Sequence, residues 1–167
     1  MKAGDIMRAA KPLTTILVLL TLAACASPGY FAPAPPSNPE NAVVYLYRPA
    51  ATNPGKKPLT TSYPEILVDG NSAGMLRYKE HLRIELPAGT HEFVATGLTP
   101  NARWEPEDRR YGLTLEAGDV KYLRFRVEFN TDKMSIGTFR GQYIINLHTI
   151  PESEAIYQIR ETSPAGT

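Results

Sequence analysis

Between Tyr122 and Phe129 the side chains alternate without a break. Leu123, Phe125, Val127 and Phe129 point one way, and Tyr122, Arg124, Arg126 and Glu128 point the other. Period two with one apolar face marks a strand buried on one side and wet on the other. Nothing in the chain repeats as strongly at helical period, and no strand–helix–strand rhythm is present. That speaks against dinucleotide-binding and P-loop folds.

Other segments read the same way. Ala42 to Arg48 is rich in β-branched and aromatic residues, apolar on both faces as a central strand is, and Pro49 ends it. Glu65 to Val68 and Ala73 to Leu76 flank Asp69-Gly70-Asn71, a hairpin signal because glycine accepts positive φ. His81 to Leu86 alternates. Pro87-Ala88-Gly89 then turns the chain into a strand from Thr90 to Thr96, predicting that these two strands pair. Tyr111 to Leu115 and Phe139 to His148 complete the set, the latter with Tyr143, Ile145 and Leu147 on one face. Thr149-Ile150-Pro151-Glu152 has the form of a capping box and predicts a short terminal helix with Ile156 and Ile159 on one face. The expected fold is all-β: a small antiparallel β-sandwich of about seven or eight strands with a short C-terminal helix.

The N-terminus has a different logic. Lys2, Arg8 and Lys11 precede an apolar run from Leu13 to Leu22, which closes on Ala23, Ala24 and Cys25. The run is about half the ~20 residues needed to span a bilayer, so it reads as a cleavable export signal. Leu22-Ala23-Ala24-Cys25 has the form of a lipobox, where small side chains admit a peptidase and the cysteine thiol takes a diacylglycerol thioether. Cys25 is the one cysteine of the chain; once acylated, it leaves no thiol for a disulfide. Two or more acyl chains hold firmly where one does not. Ala26, rather than aspartate, follows the cysteine and favours the outer membrane, with the domain facing the periplasm.

The expected organisation is therefore a signal peptide over 1–24, an acylated cysteine and proline-rich tether over 25–41, a sandwich over 42–160 and a disordered tail over 161–167. Prolines 28, 33, 35, 36 and 39 favour an extended tether of ~3.1 Å per residue, a reach of roughly 50 Å. Without the leader the 18 basic and 17 acidic residues come close to balance, at about −1. That gives no electrostatic support for nucleic-acid binding.

VVYLYRP (43–49), ILVDGNSAGML (66–76), LRIELPAGTHEF (82–93) and LTLEAGDVKYLRF (113–125), in this order behind a lipobox, resemble the small bacterial lipoproteins known as domain of unknown function 2846. V-D-G and P-A-G-x-H also recur in PEGA-type surface modules. The resemblance implies a small envelope β-sandwich and carries over no catalytic residue. The charged loop 101–110 is longer than the family pattern.

Catalytic constellations are sparse. The motifs G-x-S-x-G, H-E-x-x-H and C-x-x-C are absent. His81 and His91 fall several residue pairs apart in the expected hairpin, over ~10 Å, too far to share a zinc ion. A histidine there is expected to pack beside Ile84 or bond Glu85, and Asp69 to serve the backbone of its turn. No catalytic residue, metal or cofactor is expected. The leading reading is a lipid-anchored, non-catalytic interaction or structural module, its partner another envelope protein or the cell-wall polymer. The alternative is an envelope hydrolase using dispersed groups such as Glu65, Glu85 or the histidines. Candidate partner contacts are Trp104, the single tryptophan, and Arg124 and Arg126, which share a strand face and could grip an anionic glycan or headgroup.

Overall fold

The computed structural model describes residues 30–51, 60–99, 102–103, 107–130 and 142–166. Leu22, Ala23, Ala24, Cys25 and Trp104 lie outside them. Two sheets face each other, and a third, thinner layer covers one of them. The larger sheet contains β1 (Asn41–Tyr47), β4 (Glu80–Pro87), β9 (Val120–Asn130), β10 (Gln142–Ile150) and β11 (Ser163–Pro164), in the order β10-β9-β1-β4-β11. The smaller contains β2 (Glu65–Val68), β3 (Asn71–Met75), β5 (Gly89–Ala95) and β8 (Arg109–Leu115), in the order β3-β2-β5-β8. A two-residue pair, β6 (Leu98–Thr99) and β7 (Ala102–Arg103), stands apart. Helix α1 (Glu152–Ile159) follows β10.

β1 occupies the centre of the larger sheet, which is why its two faces are both apolar. Val44 and Leu46 point inward and meet Ile66, Val68, Phe93, Leu115, Leu123, Phe125, Val127, Ile145 and Leu147 in the sandwich core. Val43, Tyr45 and Tyr47 point outward into a second cluster with Tyr122, Ile150, Ala155 and Ile159. The β2–β3 hairpin forms as the sequence predicts: Asp69 and Gly70 take φ of 50° and 80°, the paired left-handed conformation of the tightest hairpin turn.

Four expectations change. First, β4 and β5 do not pair. β4 lies against β1 and β5 against β2 and β8, so Pro87-Ala88-Gly89 is a corner between sheets. Gly89, at φ 144°, allows a bend that Pro87 begins, and the same residue types serve a hairpin and a corner. Second, the larger sheet is mixed: β9 runs parallel to β1, and β11 parallel to β4. Third, the tail is ordered through 166. Ser163 donates its amide to Lys79 O and Ala165 to His81 O, at 2.9 and 2.8 Å, so β11 closes the β4 edge. Fourth, the outward face of β9 is wet only in part. Tyr122 is 2% and Arg124 9% exposed, because α1 lies over them.

α1 itself is where the sequence places it, without the capping box. Thr149 still belongs to β10, and its hydroxyl lies 3.0 Å from Tyr111 Oη. Pro151 occupies the N-cap with no side-chain cap bond; its carbonyl accepts the amides of Glu154 and Ala155, each at 3.0 Å. Glu152 and Glu154 in the first turn suit the positive end of the helix dipole.

Candidate functional site

The outer side of the larger sheet concentrates the polar chemistry of the fold. Arg124 projects from β9 beneath α1. Its Nη1 donates to Glu154 Oε1 at 2.6 Å and to Gln158 Oε1 at 3.3 Å. Its Nη2 lies 3.0 Å from His148 Nε2. Guanidinium has no acceptor, so Nε2 must accept and the imidazole is neutral with its proton on Nδ1. Burial, then the charges of Arg124 and Arg126, hold the His148 pKa below its usual value, which agrees with that state. Gln158 completes the network: its Nε2 donates to Glu154 Oε1 at 3.1 Å, and its Oε1 accepts from Tyr47 Oη at 3.0 Å. Burial pushes the Tyr47 phenol well up. Glu154 and Gln158, one helical turn apart, thus fasten α1 to β1 and β9 through a charge-assisted group.

Beside this network opens a cavity of about 430 Å³, lined by Pro49, Ala50 and Ala51 and by Arg124, Arg126, Glu154, Tyr157, Gln158 and Glu161. Its volume falls in the range of small-ligand sites, but its cations are already engaged: Arg124 with Glu154 and Arg126 with Glu128. Arg124 and Arg126 do share a face, as the alternation predicts. One is mostly buried structural cement, however, and only the other stands at the rim.

The second component is the proline segment. Residues 31–40 lie along the outer face of β1 and β4. Phe31 meets the rings of Tyr45 and His81 edge-on, with centroids 5.0 and 5.6 Å apart. Ala34 donates its amide to Tyr45 Oη at 2.9 Å, and Arg83 Nη2 donates to Pro35 O at 2.8 Å. Glu85 Oε1 collects the Ser37 amide (2.9 Å), the Ser37 hydroxyl (2.7 Å), the Asn38 amide (3.1 Å) and Asn41 Nδ2 (3.2 Å). Those donors, the two from Ser37 first, pull the Glu85 pKa down to about 2. Most of the expected spacer is therefore part of the fold.

The other sequence candidates scatter. His81 Nδ1 lies 2.8 Å from Thr162 Oγ1. His91 is tied to Asp69 Oδ2 at 2.7 Å and to Pro87 O at 3.0 Å, not to Glu85. Asp69 also accepts the Glu92 amide, at 2.9 Å, so its carboxylate serves the backbone of the neighbouring strand β5 and the imidazole rather than the backbone of its own turn. This clip joins the β2–β3 turn to the corner at 87–89. Glu65 and Glu85 stand on different sheets, on opposite outer faces, and do not form a carboxylate pair. Among the described residues no three His, Cys, Asp or Glu side chains converge as a metal site, and no helix is long and apolar enough to cross a membrane.

Three residues hold this surface together: Glu85, which the sequence offers only as a histidine partner or a dispersed hydrolase carboxylate, and Glu154 and Gln158, which sequence reasoning passed over. The last two carried a signal in their i, i+4 spacing on the helix that also presents Ala155 and Ile159 to the sheet. Glu85 carried none, because a carboxylate on an alternating strand is also the normal solvent-facing residue. Comparison of the chain with protein-family models, curated proteins and solved structures finds no match.

Proposed function

We propose that the chain is an exported lipoprotein, acylated on Cys25 and held at the envelope membrane, and that its sandwich acts there as a non-catalytic interaction or structural module. One observation carries the reading: a basic start, a short apolar run and Leu22-Ala23-Ala24-Cys25 in succession. The resemblance to the domain of unknown function 2846 lipoproteins points the same way. The tying of Arg124, Glu154, His91 and Asp69 into structural pairs supports a module that holds and presents surfaces rather than one that turns over substrate. The partner in this reading is another envelope protein or the cell-wall polymer.

Metabolic labelling with a clickable palmitate tests the anchor. Wild type takes up label and Cys25→Ser loses it; label persisting in Cys25→Ser refutes the acylation site. Crosslinking in living cells with the anchor intact tests the module. A discrete adduct with an envelope protein or with wall polymer is expected, and recovery of monomer alone counts against it.

A further inference from the structure

The largest apolar side chains that the described residues leave exposed are Tyr30, Ile144 and Tyr157, and all three lie on one side of the molecule. Ile144 shares the outward face of β10 with Ile150, whose side chain enters the cluster beneath α1. Tyr157 stands on α1 itself, 51% exposed. Tyr30, 74% exposed, meets Tyr157 edge-on with ring centroids 6.2 Å apart, and the Arg160 guanidinium lies 5.6 Å from the Tyr157 ring centre. The opposite broad face, the outside of the smaller sheet, carries Thr90, Glu92, Arg110 and Thr114, joined to one another by hydrogen bonds and ion pairs.

Covalent geometry links this asymmetry to the anchor. Fastening of the chain from Phe31 onward leaves five residue steps between Cys25 and Tyr30. Fully extended, they reach at most ~18 Å, against the roughly 50 Å of a free proline spacer. An acyl chain on Cys25 thus holds the Tyr30–Tyr157 corner within ~18 Å of the lipid surface. It also raises the local concentration of that corner at the surface enough for a weak contact to be occupied.

We propose that Tyr30 and Tyr157 seat in the headgroup boundary of the membrane that holds Cys25. The α1 side of the sandwich then faces the bilayer, and the smaller sheet faces away from it, free for a partner. Tyrosine suits the boundary, with an apolar ring and a hydroxyl that stays wet. Charges around the seat are mixed: Glu152, Glu154 and Glu161 against Arg124, Arg126 and Arg160. The seat therefore does not select anionic lipid, and seating is indifferent to the anionic fraction. This inference rests on acylation of Cys25.

The test uses the full-length acylated protein in vesicles of phosphatidylethanolamine with a minor fraction of phosphatidylglycerol. A benzophenone photo-crosslinker is carried in place of Tyr157 or, as control, of Thr114 on the far face. Intact mass first establishes the acyl group on Cys25. The expected result is a lipid adduct at 157, unchanged when the phosphatidylglycerol fraction is varied, and loss of that adduct at 114. Equal adducts at both positions, or none at 157 in acylated protein, overturn the seating and leave the anchor standing. An unacylated Cys25 overturns both.

Discussion

Phe31→Ala isolates the docking of the proline segment from the stability of the sandwich. Removing a fully buried phenylalanine side chain costs about 3–5 kcal/mol. Phe31 is half-buried, packed on Tyr45 and His81 and outside the sandwich core, so about half of that, ~2 kcal/mol, is expected. The loss falls on a local opening of residues 30–36, because Glu85 holds Ser37 and Asn38 independently. A 2 kcal/mol loss raises the open population roughly 30-fold. The reporter is the Ala34 amide, whose acceptor is Tyr45 Oη. Amide exchange followed by NMR should accelerate there by about that factor. The Val43 amide, bonded to Asp119 O at 2.8 Å inside the sheet, should keep its rate. An unchanged Ala34 rate would show that Phe31 does not hold the segment. Equal acceleration at Ala34 and Val43 would show that docking and sheet open as one unit and are not separable.

Further expectations follow from the same surfaces. Ile159→Ala removes three carbons from a fully buried position under α1 and should cost about 2–5 kcal/mol, read as a lower urea midpoint; a loss under 1 kcal/mol would mean that the helix is not anchored there. Glu85, with its pKa drawn from 4.5 to about 2, favours docking fully above pH 4.5 and loses that contribution as pH falls through about 2. The Ser37 and Asn38 amide shifts should therefore move only in that acid window. For the clip, hydrogen bonding to Asp69 raises the His91 pKa above 6.5, so its stabilisation is full below pH 6.5 and is lost as pH rises through the folded value. The bond to His91 lowers the Asp69 pKa, so that contribution is present above 3.8 and is lost as pH falls. NMR titration should place the His91 midpoint above 6.5 and find it lower in Asp69→Asn; a midpoint insensitive to that change would break the pairing.

What the sequence discloses about this fold depends on whether the cause is local. The Asp69-Gly70 turn and the alternation of Leu123, Phe125 and Val127 are set by φ and by period, and both are legible. The partner of β4 is not. Pro87 and Gly89 report that the chain bends, while the choice between hairpin and corner is made by burial: Leu82, Ile84 and Leu86 on one sheet face Phe93 and Ala95 on the other across the core. Parallel pairing of β9 with β1 is equally silent, since alternation is indifferent to the direction of a neighbour. Arg124 misleads for a related reason. Its spacing assigns it correctly to the outward face, but a single strand does not reveal that a later helix will bring Glu154 and Gln158 over it. The proline segment has no period to read, because a phenol and a carboxylate hold it rather than a repeating stripe.

The outward face of β1 nevertheless contained the clue to the third layer. A two-sheet sandwich leaves one side of each sheet to water, and Val43, Tyr45 and Tyr47 are too apolar for that side. Something must cover them, and both ends of the described chain do so. From the C-terminal end come Ala155 and Ile159; from the N-terminal end comes Phe31. His81 joins the two ends, with its ring against Phe31 and its Nδ1 at the Thr162 hydroxyl. Both covers depend on one strand face, so the same cluster fastens Phe31 and seats the helix. The sandwich core lies on the other side of that sheet and is untouched by either cover. Loosening Phe31 therefore frees the segment before Ser37 without unfolding the domain, and under the proposed acylation of Cys25 a local opening of about 2 kcal/mol would lengthen the reach of that anchor.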